Sequence, residues 1–289
     1  MKRLFIFLAL FILAAPFAAA SEKVLIVTED GWEISALYAP AEPTEESPKG
    51  RIVILLHDLG KNKEEFTRMG NKIKDAGLGF LTLDLRGHGA SAGKGDYKTF
   101  AKTGTDNEFN QMVRDVTAAI AFLNQKGIET SDIYLAGSGL GANVAAKAII
   151  FNPDIAGIAL FTPSLKTRDV LTMAGIKINT KPVFIAVSSE DRKQMMEASF
   201  IRNAAFLSSG AGKVTFMTAY NLKGIEMVDK YLTEEFIQWL KIPQLPEVIP
   251  DGEPGEQMVI ISPEQKPEPE AGFMPVPGLQ EDQIIIVAP

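Results

Sequence analysis

The chain predicts an α/β fold: a mostly parallel central sheet of about eight strands, helices on both faces and no large cap domain. Three observations predict it. From about residue 23 to residue 242, short apolar β-rich runs alternate with longer helical patterns. Residues 133–145 read as a strand, the turn Gly137-Ser138-Gly139-Leu140-Gly141, and a helix. The link 164–180, between the strands at 155–161 and 182–187, is too short to hold a large cap domain.

The elements run in order along the chain. Residues 24–27 and 32–38 form two strands around Glu29-Asp30-Gly31, a hairpin signal. After a polar, proline-containing loop at 40–50, the run 51–56 is a buried strand of Ile, Val and Leu. A helix over 63–75 and a strand over 80–84 come next. Residues 107–125 are an amphipathic helix, with Phe109, Met112, Val113, Val116, Ile120 and Leu123 at helical spacing. The pattern continues with strand 133–136, helix 140–151, strand 155–161, strand 182–187, helix 192–208, strand 213–218 and helix 225–240.

The two ends differ in kind from this middle. Residues 1–20 carry Lys2 and Arg3, an apolar run from Leu4 to Phe17, and Ala18-Ala19-Ala20, the pattern of a secretory signal peptide. An uncleaved anchor is the alternative, although the run is near the lower length limit for crossing a bilayer. The leader predicts an exported chain, periplasmic or extracellular, with no integral membrane span after cleavage. Residues 243–289 are rich in proline and glutamate and predict a disordered tail. Inside it, 256–263 and 282–289 are two similar β-prone runs ended by proline, suited to adding a strand to a sheet edge of this chain or of a protein partner. The domain proper is then 21–242.

Composition narrows the function. The 289 residues carry a net charge of -7. Once Lys2 and Arg3 leave with the peptide, 27 basic residues face 36 acidic ones, a balance of -9. Such a chain is a poor partner for nucleic acid. Without cysteine there are no disulfides, no thiolate metal ligands and no thiol nucleophile. No motif calls for a cofactor or a metal.

The turn at 137–141 has the shape of a nucleophile elbow, in which the residues two before and two after the nucleophile must be nearly free of side chain. Gly137 and Gly141 satisfy that rule around Gly139. Centring the elbow on Ser138 would set Ala136 and Leu140 at those positions, and a leucine would clash. The favoured register therefore puts a glycine where a nucleophile belongs, with Ser138 kept as the weaker alternative.

With His57-Asp58-Leu59-Gly60 after the third strand and Asp84-Leu85-Arg86-Gly87-His88-Gly89-Ala90-Ser91 after the fourth, the chain resembles the α/β-hydrolase family over roughly 23–242, especially its small serine esterase, lipase-like and serine aminopeptidase-like members. The resemblance implies a Ser, Asp or Glu, His triad in that chain order. Its positions here are Gly139, Asp191 and Lys223, so only the acid is retained. Asp191 equally suits the cap of the helix after it. The chain's two histidines, His57 and His88, both precede the elbow, and the resemblance implies structural roles for them. A rescue would need one of them beside Ser138, Ser188 or Ser189; a metal site would draw on His57, Asp58, Asp84 and His88.

The resemblance also implies an oxyanion hole from the backbone N–H groups of Leu59 and Leu140, which side-chain changes need not remove. The expectation is thus an exported pseudo-hydrolase that binds a small ester-like or carbonyl ligand, or a protein through its tail. The alternative is an active serine-type hydrolase with an unconventional catalytic group. On this reading Gly139→Ser with Lys223→His restores reactivity toward a fluorophosphonate.

Overall fold

The structure is a computed structural model that describes residues 21–42, 50–220 and 222–243. The expected leader, and the tail beyond residue 243, lie outside the described residues. Among those described, no helix is long and apolar enough to cross a membrane.

The main sheet comprises β1 (Glu22–Val27), β2 (Glu33–Ala39), β3 (Ile52–Leu56), β4 (Gly79–Leu83), β5 (Ile133–Ser138), β6 (Gly157–Phe161), β9 (Val183–Ser188) and β10 (Val214–Ala219). They lie in the order β1-β2-β4-β3-β5-β6-β9-β10. The pairs β1/β2 and β2/β4 are antiparallel and the others parallel. Every residue of β3, β4, β5, β6 and β9 is buried, as expected of strands covered on both faces. The edge strand β1 instead buries Ile26 and exposes Glu22, Lys23, Leu25 and Val27.

Alternation along the strands separates two cores. One face packs Ile54, Leu56, Leu135, Leu160 and Ile185 against α2 (Glu108–Gln125), α3 (Leu140–Ala148) and α5 (Arg192–Ser209). The other packs Val53, Leu55, Ala136, Phe161 and Phe184 against α1 (Thr67–Asp75) and α7 (Thr233–Lys241). There Phe161, Phe184, Phe236 and Trp239 pack with centroids 5.1 to 6.3 Å apart, edge-on or tilted except for Phe236 and Trp239, which are stacked.

Several boundaries differ from the pattern, each for a local reason. The helix expected over 63–75 starts as a 3-10 turn, Lys63–Phe66, because Asn62 caps the N–H of Glu64 before α1 begins. Helix α3 ends at Ala148 rather than 151, and β6 begins at Gly157. The link 164–180 contains a small hairpin, β7 (Lys166–Thr167) with β8 (Val170–Leu171), and one helical turn, α4 (Met173–Ile176). Its tight turn puts Arg168 and Asp169 at φ of 53° and 62°. The last helix is interrupted: α6 (Gly224–Met227) passes through a π-helical stretch, Val228–Leu232, into α7, while the Thr233 hydroxyl bonds back to the carbonyls of Val228 and Asp229.

The loop after β4 is held by a buried charge. Arg86 is fully buried and donates to Asp115, Asp30 and Glu108 at 2.8 to 3.1 Å, and its own N–H donates to Asp115. Burial pushes the Asp115 carboxyl up, against the pull of Arg86. Against the same cost of burial, hydrogen bonds from Arg86 and Thr28 hold Asp30 down at about 2. Removing one partner of a buried pair strands the other charge. Asp115→Ala is expected to cost about 3 kcal/mol in urea unfolding. Asp30→Ala, at the half-exposed end of the network, is expected to cost about 1 kcal/mol or less.

Candidate active site

The elbow forms because β5 runs into α3 with no room for side chains. A Cβ on Gly137 would stand 2.2 Å from the carbonyl carbon of Gly141, and one on Gly141 would stand 2.1 Å from the Leu56 carbonyl oxygen. Between them Gly139 takes φ 50° and ψ -112°, a conformation that side-chain-bearing residues rarely adopt.

The space above Gly139 is filled. Parallel pairing sets Leu56 of β3 opposite Gly137 of β5, so the segments leaving the two strands emerge side by side. There one oxygen of Asp58, Oδ1, accepts from both Leu59 N (2.6 Å) and Leu140 N (2.8 Å). These are the two N–H groups expected to form the oxyanion hole. Both point at one place, which a carboxylate of the chain itself occupies. A Cβ on residue 139 would come within 2.0 Å of Asp58 Oδ1 and 2.5 Å of Oδ2. Asp58 thus closes the notch between these two N–H groups, and a serine at 139 would require it to leave.

Asp58 is anchored around that contact. Its N–H donates to Glu65 Oε2 at 2.8 Å, and its carbonyl accepts from Lys61 N and from Nδ1 of His57. Nε2 of His57 accepts from Leu85 N at 3.0 Å, which fixes the neutral tautomer protonated on Nδ1. Burial drives the His57 pKa down to about 4. His88 lies 4.8 Å from His57 between ring centroids, stacks on Tyr97 at 4.1 Å and bonds through Nδ1 to the Arg86 carbonyl. Its buried Nε2 has no partner among the described residues, and burial lowers its pKa too. Both imidazoles thus tie strand-end loops together.

The remaining expected residues are accounted for individually. Ser138 is buried, with its hydroxyl packed where a Cβ on Gly224 would stand, 2.3 Å away. Ser189 donates to the Ala219 carbonyl and Ser188 accepts from Glu190 N. No hydrogen bond joins any of these serines to a histidine among the described residues. Asp84 is likewise engaged, accepting from Lys63 N, Lys63 Nζ and Ala90 N.

Asp191 and Lys223 do meet. Lys223 Nζ donates to Asp191 Oδ2 at 2.6 Å, while Asp191 Oδ1 caps α5 by accepting from Gln194 N. Hydrogen bonding from Lys223 holds the Asp191 carboxyl below the usual range. Both side chains reach solvent and line an open hollow of about 510 Å³ with Ser188, Glu190, Arg192 and Lys193. Neither Gly139 nor Asp58 lines it.

Sequence reasoning missed the seat of Asp58, and with it Glu65 and Thr162. The cue for Asp58 was its place directly before Leu59, an expected donor. Thr162, at φ 53° after β6, uses its hydroxyl to accept from Gly224 N at 2.7 Å and so pins the segment carrying Lys223. Burial pushes Glu65 up to about 7, with Asp58 and Glu226 adding repulsion.

These contacts set expectations for two residues. The folded chain holds the Glu65 proton more tightly than the unfolded one, whose carboxyl titrates near 4.5, so this group's contribution falls as pH rises from about 4.5 to about 7. Glu65→Gln keeps an acceptor for Asp58 N. It is expected to flatten that part of the pH-stability curve and to gain about 2 kcal/mol at alkaline pH, read as the difference from wild type in urea unfolding. Gly139→Ser is expected to cost about 2–4 kcal/mol, from backbone strain and expulsion of Asp58. In an Asp58→Gly background the same change is expected to cost less by about 1 kcal/mol or more; equal costs would mean that the two residues do not compete.

Comparison with known proteins places this geometry. The family described as Serine aminopeptidase, S33 matches residues 47–203, more than half of the chain. A multifunctional-autoprocessing repeats-in-toxin protein of Vibrio cholerae serotype O1 is 33% identical over 175 residues, 54% of this chain. Its counterpart in Vibrio vulnificus is 31% identical over 135 residues, 44% of this chain. The aligned parts amount to only 4% and 2% of those proteins. Among solved structures, a Pyrococcus furiosus esterase is similar with a TM-score of 0.60 at 17% identity, covering 78% of this chain and 91% of the esterase. A 2,6-dihydroxy-pseudo-oxynicotine hydrolase gives 0.61 at 16% identity, covering 78% and 68%. Likenesses at this identity concern the fold, and the family match agrees with them. The chain belongs to the S33 serine aminopeptidase family of the α/β-hydrolases.

Proposed function

We propose that this chain is a non-hydrolytic member of its family that acts by binding. One observation carries the reading: the space a nucleophile would take above the elbow holds the Asp58 carboxylate, bonded to Leu59 N and Leu140 N. Acyl transfer needs a nucleophile, a base within about 3 Å of it, and donors free for the developing oxyanion. Gly139 offers no nucleophile. Lys223 donates from Nζ to Asp191 Oδ2, so that side chain is already engaged by a carboxylate. His57 spends both ring nitrogens on backbone groups.

The leader-like residues 1–20 support export to the periplasm or beyond the cell. A small ester-like or carbonyl ligand would find its polar contacts in the hollow around Asp191 and Lys223, outside the closed notch. A protein partner held by the tail is the other route to binding.

The purified chain is expected to take no label from a fluorophosphonate. It is also expected to hydrolyse a short-chain p-nitrophenyl ester no faster than a heat-treated sample, with Ser138→Ala and Lys223→Ala indistinguishable from wild type. Turnover that co-purifies with the chain and is lost in either variant would overturn the proposal in favour of an unconventional hydrolase.

A further inference from the structure

We infer that Asp58 is a resident ligand that keeps shut an otherwise complete site for a small carboxylate. The inference deepens the non-hydrolytic reading, but it concerns binding, so the two can fail separately.

Two N–H groups from different segments, Leu59 after β3 and Leu140 at the start of α3, aim at a single oxygen at 2.6 and 2.8 Å. Such convergence is what an anion requires: two donors fixed by the backbone, one of them at a helix N-terminus. The occupant has the chemistry of the ligand the site selects, a carboxylate. It is covalently part of the chain, so it competes with a free anion as an intramolecular ligand. The other oxygen, Oδ2, has no hydrogen-bond partner among the described residues, and Asp58 is only partly buried.

The donors themselves do not depend on Asp58. Leu140 N is set by the elbow, which β5, α3 and the close approach of Gly141 to the Leu56 carbonyl hold in place. The backbone around Leu59 is set by His57, by the Lys61 N–H to the Asp58 carbonyl and by Glu65 receiving the Asp58 N–H. Replacing the side chain of residue 58 leaves each of these bonds in place. An anion seated there would place one oxygen where Asp58 Oδ1 now sits, as the carboxylate of acetate can.

The test tracks the Leu59 and Leu140 amide resonances while acetate is added at constant ionic strength. In wild type neither is expected to move. In Asp58→Ala both are expected to shift together and saturate. Asp58→Asn, whose amide oxygen can accept both bonds, is expected to behave as wild type. Matching saturable shifts in wild type, or none in folded Asp58→Ala, would overturn the inference. Should Asp58→Ala not fold, the same acetate titration of Asp58→Gly decides: saturable shifts of both amides support the inference, and none in the folded variant would overturn it.

Discussion

The hydrogen bonds from Leu59 N and Leu140 N to one oxygen of Asp58 set the terms for the whole upper edge of the sheet. They satisfy two backbone donors that would otherwise face a ligand or water, and charge-assisted bonds of this kind are among the stronger ones in a protein. They also hold the carboxylate against Gly139, where a Cβ would overlap it. The glycine and the aspartate are therefore one arrangement seen from two sides. With a side chain at 139 the carboxylate has no place, and with the carboxylate seated only a glycine fits at 139.

The scaffold delivers that contact with ordinary parts. Adjacent parallel strands β3 and β5 end together, so the loop leaving one and the helix leaving the other come within bonding distance although Asp58 and Leu140 are 82 positions apart. His57 bridges Asp58 to Leu85, and Arg86 ties the same loop to Asp115 under it. In this setting the two imidazoles are neutral braces. Lys223, meanwhile, pairs with Asp191 at the surface, and the Thr162 hydroxyl holds the segment that carries Lys223 by accepting from Gly224 N.

Much of this was legible in the residues. The buried strands announced themselves as unbroken apolar runs, the elbow by its glycines, and the helix 107–125 by its period, with Asn107 capping as its type allows. The hidden features were of two kinds. Local departures, such as the π-helical stretch at Val228–Leu232 or the small hairpin at 166–171, depend on side-chain bonds and turns that periodicity does not register. The seat of Asp58 depends on a long-range contact. An aspartate next to an expected donor reads the same whether it points to water or turns back on the elbow, and only the register of β3 against β5 decides. Asp191 was ambiguous for a similar reason, and it both caps α5 and pairs with Lys223 because its two oxygens face different ways.

The central claim is tested most directly by a crystal structure of the wild-type chain grown without carboxylate-containing solutions. The account predicts Asp58 Oδ1 within hydrogen-bond distance of both Leu59 N and Leu140 N, with no water between them. An Asp58 side chain turned out to solvent, with water or another anion seated on the two N–H groups, would contradict it.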